Sequence, residues 1–295
     1  MSATVKEETP KSLDNARRNR AIGAILVDEG LLTDKDVVEI QALADSSGLL
    51  FGEAALRLNR ITTADLDRAL GRQFNYPLLP VGPGGVAPEV LAAYEPHCDS
   101  VEDLRTVRSR LVIDWLDRSE RSVLAIVGAH RNEGRSWLAA NLATVFAQAG
   151  ERTLLIDGDM RHPQQHRFFN LNNNIGLSSL LSGRAGKEAA RRVHPELRLF
   201  VLPAGATPPN PQELLTRHIF SVVLDGFANY FDVVLIDTPA ARETADAELL
   251  AAKAGAALLV ARQGKTSELA LQSTFKSLTR SNVKVVGSVI NLQQK

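Results

Sequence analysis

Gly128-Ala-His-Arg-Asn-Glu-Gly-Arg-Ser136 decides the fold of this chain. Residues 122–127 before it (SVLAIV) form a short β-branched and aliphatic run, and residues 137–149 after it (WLAANLATVFAQA) have the Ala/Leu content and apolar spacing of a helix. The order is strand, glycine loop, helix. In that order successive loop N–H groups and the positive end of the helix dipole converge on phosphate oxygens, with Gly128 and Gly134 leaving the ligand room. Asn132, Glu133, Gly134, Arg135, Ser136 and Trp137 are then the ligand-side residues, and the Ser136 hydroxyl is a candidate ligand for Mg²⁺. Arg135 stands where such loops carry a lysine. An arginine is still cationic but planar, forked and bulkier, so binding should survive the exchange better than catalysis. The loop alone would also fit a glycine turn that touches no ligand.

Two further segments bear on that choice. Residues 152–161 (RTLLIDGDMR) read as a buried strand whose end carries Asp157, Asp159 and Arg161, and residues 230–240 (YFDVVLIDTPA) as a second one ending in Asp237-Thr-Pro. Ligands of open parallel sheets sit outside the carboxyl ends of the strands, so both strands deliver carboxylates toward the glycine loop. Ser136, Asp159 and Asp237 would hold Mg²⁺ through oxygen and water ligands. A single Asp at a strand end is ordinarily a cap or turn residue; three beside a glycine loop favour a site. Candidate strands at 122–127, 154–157, 197–202, 233–237, 256–261 and 283–290 alternate with helical patterns. This alternation predicts an α/β fold, a doubly wound, mostly parallel sheet with right-handed crossovers.

The glycine loop, DGDMR at 157–161 and IDTP at 236–239 resemble the Walker A, A′ and B motifs of the bacterial tyrosine kinases, within the MinD/ParA group of P-loop ATPases. Residues 202–215 (LPAGATPPNPQELL) contain that family's PPNP-x-ELL signature, and residues 102–108 (EDLRTVR) fit its E-x-x-R-x-x-R helix. The resemblance runs from near Val101 to the end of the sequence, about two thirds of it. It implies an ATP- and Mg²⁺-dependent protein-tyrosine kinase with Asp157, Asp159 and Arg135 as catalytic groups. It also implies Arg262 near the nucleotide, Asn291 reading the adenine, and oligomer contacts through Glu102, Arg105 and Arg108. Each of these residues has a plainer reading too: a rigid proline loop leading into a helix at Gln212, solvated helical charge pairs, and ordinary strand-end residues.

At 295 residues the chain exceeds the usual single domain, so two domains are expected. Lys plus Arg and Asp plus Glu balance at 34 each, which removes the basic excess that sequence-independent nucleic-acid binding requires. The single Cys98 excludes an intrachain disulfide framework and suits a reducing compartment. Residues 1–20 are charged and lack the apolar core of a secretory signal, and no stretch of about 18 consecutive apolar residues occurs. These features predict a cytoplasmic protein without direct membrane insertion.

Residues 1–18 read as a flexible start, 19–80 as a helical repeat, 81–100 as a Pro/Gly-rich linker and 101–295 as the P-loop domain. In the repeat, Ile22-Gly-Ala-Ile-Leu26 and Leu32-Thr-Asp-Lys-Asp-Val37 return 29 residues later as Phe51-Gly-Glu-Ala-Ala55 and Ile61-Thr-Thr-Ala-Asp-Leu66. Thr33 with Asp36, and Thr62 with Asp65, have capping-box spacing. Gly23 and Gly52 inside helical pattern point to close packing or ligand approach. The repeat resembles the MshEN-type N-terminal domain of type II secretion and type IV pilus ATPases, some of which bind cyclic di-GMP. It departs from that pattern at Arg20, one position too far from Gly23, and at Leu50, which replaces an arginine. Its alternative reading is a helical interaction module.

The two domains together resemble the exosortase-associated, EpsG-like branch of chain-length determinant kinases. That branch implies homo-oligomers, a place peripheral to the inner membrane, and an inner-membrane chain-length or polysaccharide-export partner. Family kinases carry a tyrosine-rich tail, whereas this sequence has only Tyr76, Tyr94 and Tyr230 and reads VVGSVINLQQK at its end. An acceptor other than a tail cluster is therefore expected. Two functions follow: a protein-tyrosine kinase of exopolysaccharide assembly, or an ATP-dependent switch or pseudokinase that acts by assembling.

Overall fold

The computed structural model describes residues 22–74, 76–80, 82, 84–118 and 122–292. The flexible start at 1–18 and Arg20 lie outside them. The chain divides into two compact units, Met1–Pro80 and Val81–Lys295.

Among the described residues the first unit has four helices, α1 Ile22–Asp28, α2 Asp34–Ser47, α3 Phe51–Arg57 and α4 Thr63–Gln73. Both capping boxes form: the Asp36 N–H donates to Thr33 Oγ1 at 3.3 Å while Thr33 N–H donates to Asp36 Oδ2 at 2.9 Å, and Thr62 and Asp65 repeat the pattern at 3.2 and 2.9 Å. The turn after the first helix of each copy uses a left-handed residue, Gly30 and then Asn59, at the same repeat position. Ile25 with Ala54, Leu26 with Ala55, Leu32 with Ile61 and Ile40 with Ala69 are repeat partners, and all eight are buried in the core. Gly23 and Gly52 serve packing. A Cβ at Gly23 would lie 3.1 Å from Phe51 Cζ, and one at Gly52 would lie 2.7 Å from Leu66 Cδ1.

The second unit is built on a seven-stranded sheet of order β3-β4-β2-β5-β1-β6-β7. Its strands are β1 Val123–Gly128, β2 Thr153–Asp157, β3 Arg191–Arg192, β4 Leu199–Leu202, β5 Val233–Asp237, β6 Ala256–Arg262 and β7 Lys284–Asn291. All pairings are parallel except β3 with β4. The six strands expected from the sequence are present. The two-residue antiparallel β3 is not legible from pattern, being too short to show a period. β1, β2 and β5 are buried throughout, as expected of strands covered on both faces.

The helices of this unit are α5 Asp99–Asp114, α6 Arg135–Gln148, α7 Gln165–Phe168, α8 Leu177–Leu181, α9 Pro211–Thr216, α10 His218–Ala228, α11 Asp246–Ala254 and α12 Glu268–Arg280. Pro211 opens α9, where its fixed φ suits a first helical position. Residues 84–98, within the stretch expected to be a linker, are part of this unit and pack on α6. Asn141 Oδ1 accepts the Ala92 N–H at 3.0 Å, Gln148 Nε2 donates to Ala92 O at 2.7 Å, and Val90, Ala92 and Ala93 are buried around a 3₁₀ turn at Leu91–Ala93. Two buried polar side chains of α6 need partners, and this segment's backbone supplies them.

Candidate nucleotide-binding site

Five neighbouring strands, β2-β5-β1-β6-β7, deliver the candidate residues to one edge of the sheet. Asp157 ends β2 and pairs in register with Asp237 at the end of β5. β1 ends at Gly128, and on its other side Arg262 of β6 is in register with Asn291 of β7. Parallel strands share one carboxyl edge, so the alternation read from the sequence is what gathers these groups.

The loop from Gly128 to Gly134 has left-handed backbone at Asn132 (φ 58°) and Gly134 (φ 92°), then enters the fourteen-residue α6. Such kinked backbone ahead of a helix start turns successive N–H groups toward an anion. Gly134 is favoured by its left-handed φ, and side chains approach both glycines closely. A Cβ at Gly128 would lie 2.5 Å from Glu133 Oε2, and one at Gly134 would lie 2.0 Å from Asn291 Nδ2. Glu133 is fully buried beneath the loop, where Oε2 accepts the His130 N–H at 3.0 Å and Oε1 accepts the Thr266 hydroxyl at 2.6 Å.

Arg135 is also buried. Its Nε donates to Thr238 O at 3.0 Å, its Nη1 donates to His130 O, and Nη1 lies 3.9 Å from Glu133 Oε2. The fork thus ties the loop to the end of β5 by two backbone carbonyls, which a single ammonium reaches less readily.

The carboxylates divide by environment. Asp157 is fully buried, with Oδ1 accepting the Asp159 N–H at 3.2 Å and Oδ2 accepting the N–H groups of Gln164 and Gln165 at 3.0 and 2.9 Å. Burial, and next the Asp237 charge, push its carboxyl well above the usual range. Asp237 is fully buried as well; burial raises it to about 6, while the Gln165 hydrogen bond, the Arg135 charge and the Ser136 hydroxyl pull it down. Its Oδ2 accepts Gln165 Nε2 at 2.8 Å, and its Oδ1 is buried with no hydrogen-bond partner. Asp159 is half-buried, and its Oδ1 accepts the N–H groups of Arg161 and His162 at 3.1 and 2.8 Å.

An orphaned buried carboxylate oxygen beside a serine hydroxyl suits a hard dication. Among the described residues no cluster of three or more His, Cys, Asp or Glu is arranged to hold a metal by itself. Mg²⁺ takes one or two carboxylates and completes its shell with water and phosphate oxygens.

Arg262 and Asn291 reach the loop, where their polar groups contact its backbone: Arg262 Nη1 donates to Asn132 O at 3.0 Å and Asn291 Nδ2 donates to Glu133 O at 3.3 Å. With Trp137, Leu104, Val107 and Ile290 they line an adjoining cavity of about 610 Å³. The E-x-x-R-x-x-R residues lie on α5. Arg105 pairs with Glu102 and donates to Pro96 O at 2.8 Å, and Arg108 lies 3.6 Å from Glu151, which leaves Glu102 the most exposed of the three. Gln165 and Thr266 were not legible as site residues. Gln165 sits in a polar run (PQQH) where nothing marks one glutamine as buried, and Thr266 is one of several polar residues in the turn after β6.

No protein-family model matches the chain. Tyrosine-protein kinase YwqD of Bacillus subtilis (strain 168) is 37% identical over 202 residues, 68% of this chain and 85% of that protein. A protein of Klebsiella pneumoniae, named as a candidate tyrosine-protein kinase in the cps region, is 32% identical over 205 residues, 69% of this chain and 28% of its own. The solved kinase domain of Escherichia coli tyrosine kinase ETK superposes with a TM-score of 0.67 at 29% identity, covering 70% of this chain and 81% of that domain. The chain therefore belongs to the bacterial tyrosine-protein kinase family.

Proposed function

We propose that the chain binds ATP with Mg²⁺ and transfers the γ-phosphoryl group to a protein tyrosine in exopolysaccharide or capsule assembly. The observation that carries this reading is the unpartnered, buried Asp237 Oδ1 at the strand end facing the glycine loop. Ser136, Asp159 and Asp237 would hold Mg²⁺, which supplies positive charge to the phosphate oxygens being transferred. The N–H groups of residues 132–136 cradle the phosphates, and Arg135 fixes the loop from beneath while adding a positive charge. Trp137, Arg262 and Asn291 border the cavity that we assign to the base.

The tyrosine oxygen bonds to the γ-phosphorus as the bond to the bridging oxygen breaks and ADP departs with its electron pair. The phenolic proton passes to a carboxylate base. We assign that role to half-buried Asp159, whose hold on Mg²⁺ would run through a bound water and leave the carboxylate basic, rather than to Asp157, whose two oxygens are closed from solvent and hold the backbone of the A′ loop. The sequence resemblance further supports an inner-membrane chain-length or polysaccharide-export partner, a cytoplasmic, peripheral location, and self-assembly through Glu102, Arg105 and Arg108. No described helix is long and apolar enough to cross a membrane. For the helical unit we favour an interaction module, because Phe51 and Leu66 occupy the space at Gly23 and Gly52.

One observation favours a second reading, an ATP-dependent assembly switch: the Arg135 guanidinium is committed to two backbone carbonyls. Incubation of the purified chain with Mg-ATP and a tyrosine-containing acceptor polymer separates the two. Phosphotyrosine formation that disappears in Asp159→Ala and Asp237→Ala supports the kinase. ATP-dependent assembly with neither phosphotyrosine nor ADP leaves the switch, and absence of ATP binding removes both.

A further inference from the structure

Gln165 is the only side chain that touches both the glycine loop's helix and the Walker B carboxylate among the described hydrogen bonds. It opens α7 and is fully buried. Its backbone N–H donates to Asp157 Oδ2 at 2.9 Å, and its Nε2 donates to both Ser136 O at 3.0 Å and Asp237 Oδ2 at 2.8 Å. One residue therefore joins the three motifs that arrive from β1, β2 and β5.

What its other atoms lack is as informative. Gln165 Oε1 is buried without a hydrogen-bond partner, and so is Asp237 Oδ1, on the carboxylate that Gln165 holds. Buried acceptors are nearly always satisfied, so two orphans on hydrogen-bonded neighbours mark a place where donors or a cation arrive with a ligand. The two differ in charge. Asp237 Oδ1 suits direct coordination, whereas a neutral amide oxygen suits a hydrogen bond from water bound to the cation.

Resting on the Mg²⁺-nucleotide reading of this site, we propose that Gln165 is a positioning residue for the cation. Its amide N–H locks Asp237 so that Oδ1 faces the metal, and its Oε1 accepts a hydrogen bond from the metal's water shell. Partners of this kind set ligand orientation, and removing one typically costs about 10- to 100-fold in metal affinity.

The test replaces the amide with a side chain of similar length and no hydrogen bonds, Gln165→Met, with Gln165→Leu as a second variant should the first not fold. Binding of a fluorescent ADP analogue to the full chain is measured in EDTA and with Mn²⁺, and free Mn²⁺ is followed by electron paramagnetic resonance. The expected result is Mn²⁺ affinity at the nucleotide-bound site lowered at least about tenfold, with nucleotide affinity in EDTA within about twofold of the unaltered chain. Unchanged Mn²⁺ affinity overturns the proposal. An equal loss with and without metal also overturns it, since that shows Gln165 supporting only the loop. An unaltered chain that binds the nucleotide without any gain from Mn²⁺ fails at the cation reading itself, and the positioning role falls with it.

Discussion

The helical unit and the strand-end site of the second unit handle their carboxylates in opposite ways, although elsewhere in the second unit Glu188, Asp232 and Glu248 are lowered by hydrogen bonds as in the helical unit. In the helical unit, the Thr33 hydroxyl and N–H hold Asp36 below the usual carboxylate range, and Asp65, raised by partial burial, is brought down by Thr62 and Arg68. In the second unit Asp157 and Asp237 are buried and raised, and the buried side-chain polar atoms without a partner among the described residues all lie there. A carboxylate that stabilises a fold is hydrogen-bonded where it stands. One that awaits a ligand is kept costly, and the surrounding sheet bears the cost.

The sharpest way to break this contrast is Asp237→Asn. The native carboxyl titrates near 6 when folded and at 3.8 in the reference state, so between these values the folded chain binds a proton that the unfolded chain does not. Stability therefore falls as pH rises through that window, by about 3 kcal/mol in total, and the penalty persists above it. Chemical denaturation without Mg²⁺ should show Asp237→Asn more stable than the unaltered chain at pH 8 and the gap closing toward pH 4. Mg²⁺-dependent nucleotide binding should fall by about 100-fold in the same variant. A variant less stable at pH 8 would mean Asp237 is structural like Asp36.

How much of this was legible follows the same division. Local rules reach whatever is encoded by spacing: the loop between Gly128 and Gly134, the strand-end aspartates, the paired capping boxes and all six longer strands. They do not reach contacts between segments distant in sequence. Gln165 meets Asp237 across 72 positions and Thr266 meets Glu133 across 133, so their roles exist only once the sheet is assembled. The packing of residues 84–98 on α6 is hidden for the same reason, since Pro and Gly announce a turn and are silent on what the turn packs against. Arg135 is an intermediate case. Its identity was plain, but the commitment of its guanidinium to Thr238 O and His130 O was not.

A second variant sharpens the comparison from the other unit. In Gly52→Ala the new Cβ would sit 2.7 Å from Leu66 Cδ1, and overpacking of this kind costs about 1–3 kcal/mol, offset by up to about 1 kcal/mol of helix propensity. Thermal unfolding of the full chain should register a net loss of about 1–2 kcal/mol, with nucleotide affinity unchanged. A fall in nucleotide affinity would show that the helical unit contributes to the site.

Thr62→Ala should give the smallest effect and the cleanest sign. The hydroxyl accepts the Asp65 N–H at 3.2 Å and the Thr62 backbone N–H donates to Asp65 Oδ2, so the substitution removes half of a capping box and leaves Asp65 with one donor fewer. A lost cap of this kind costs about 1 kcal/mol. Because the folded Asp65 lies below its reference value of 3.8, its contribution is fully present above that value and fades as pH falls through the lower folded one. The difference between the two chains should therefore narrow on acidification below about pH 4, whereas the Asp237 penalty disappears on acidification from about 6. Opposite signs for two aspartates of one chain, read from the same denaturation series, would separate the carboxylate that builds a helix from the one held ready for a cation.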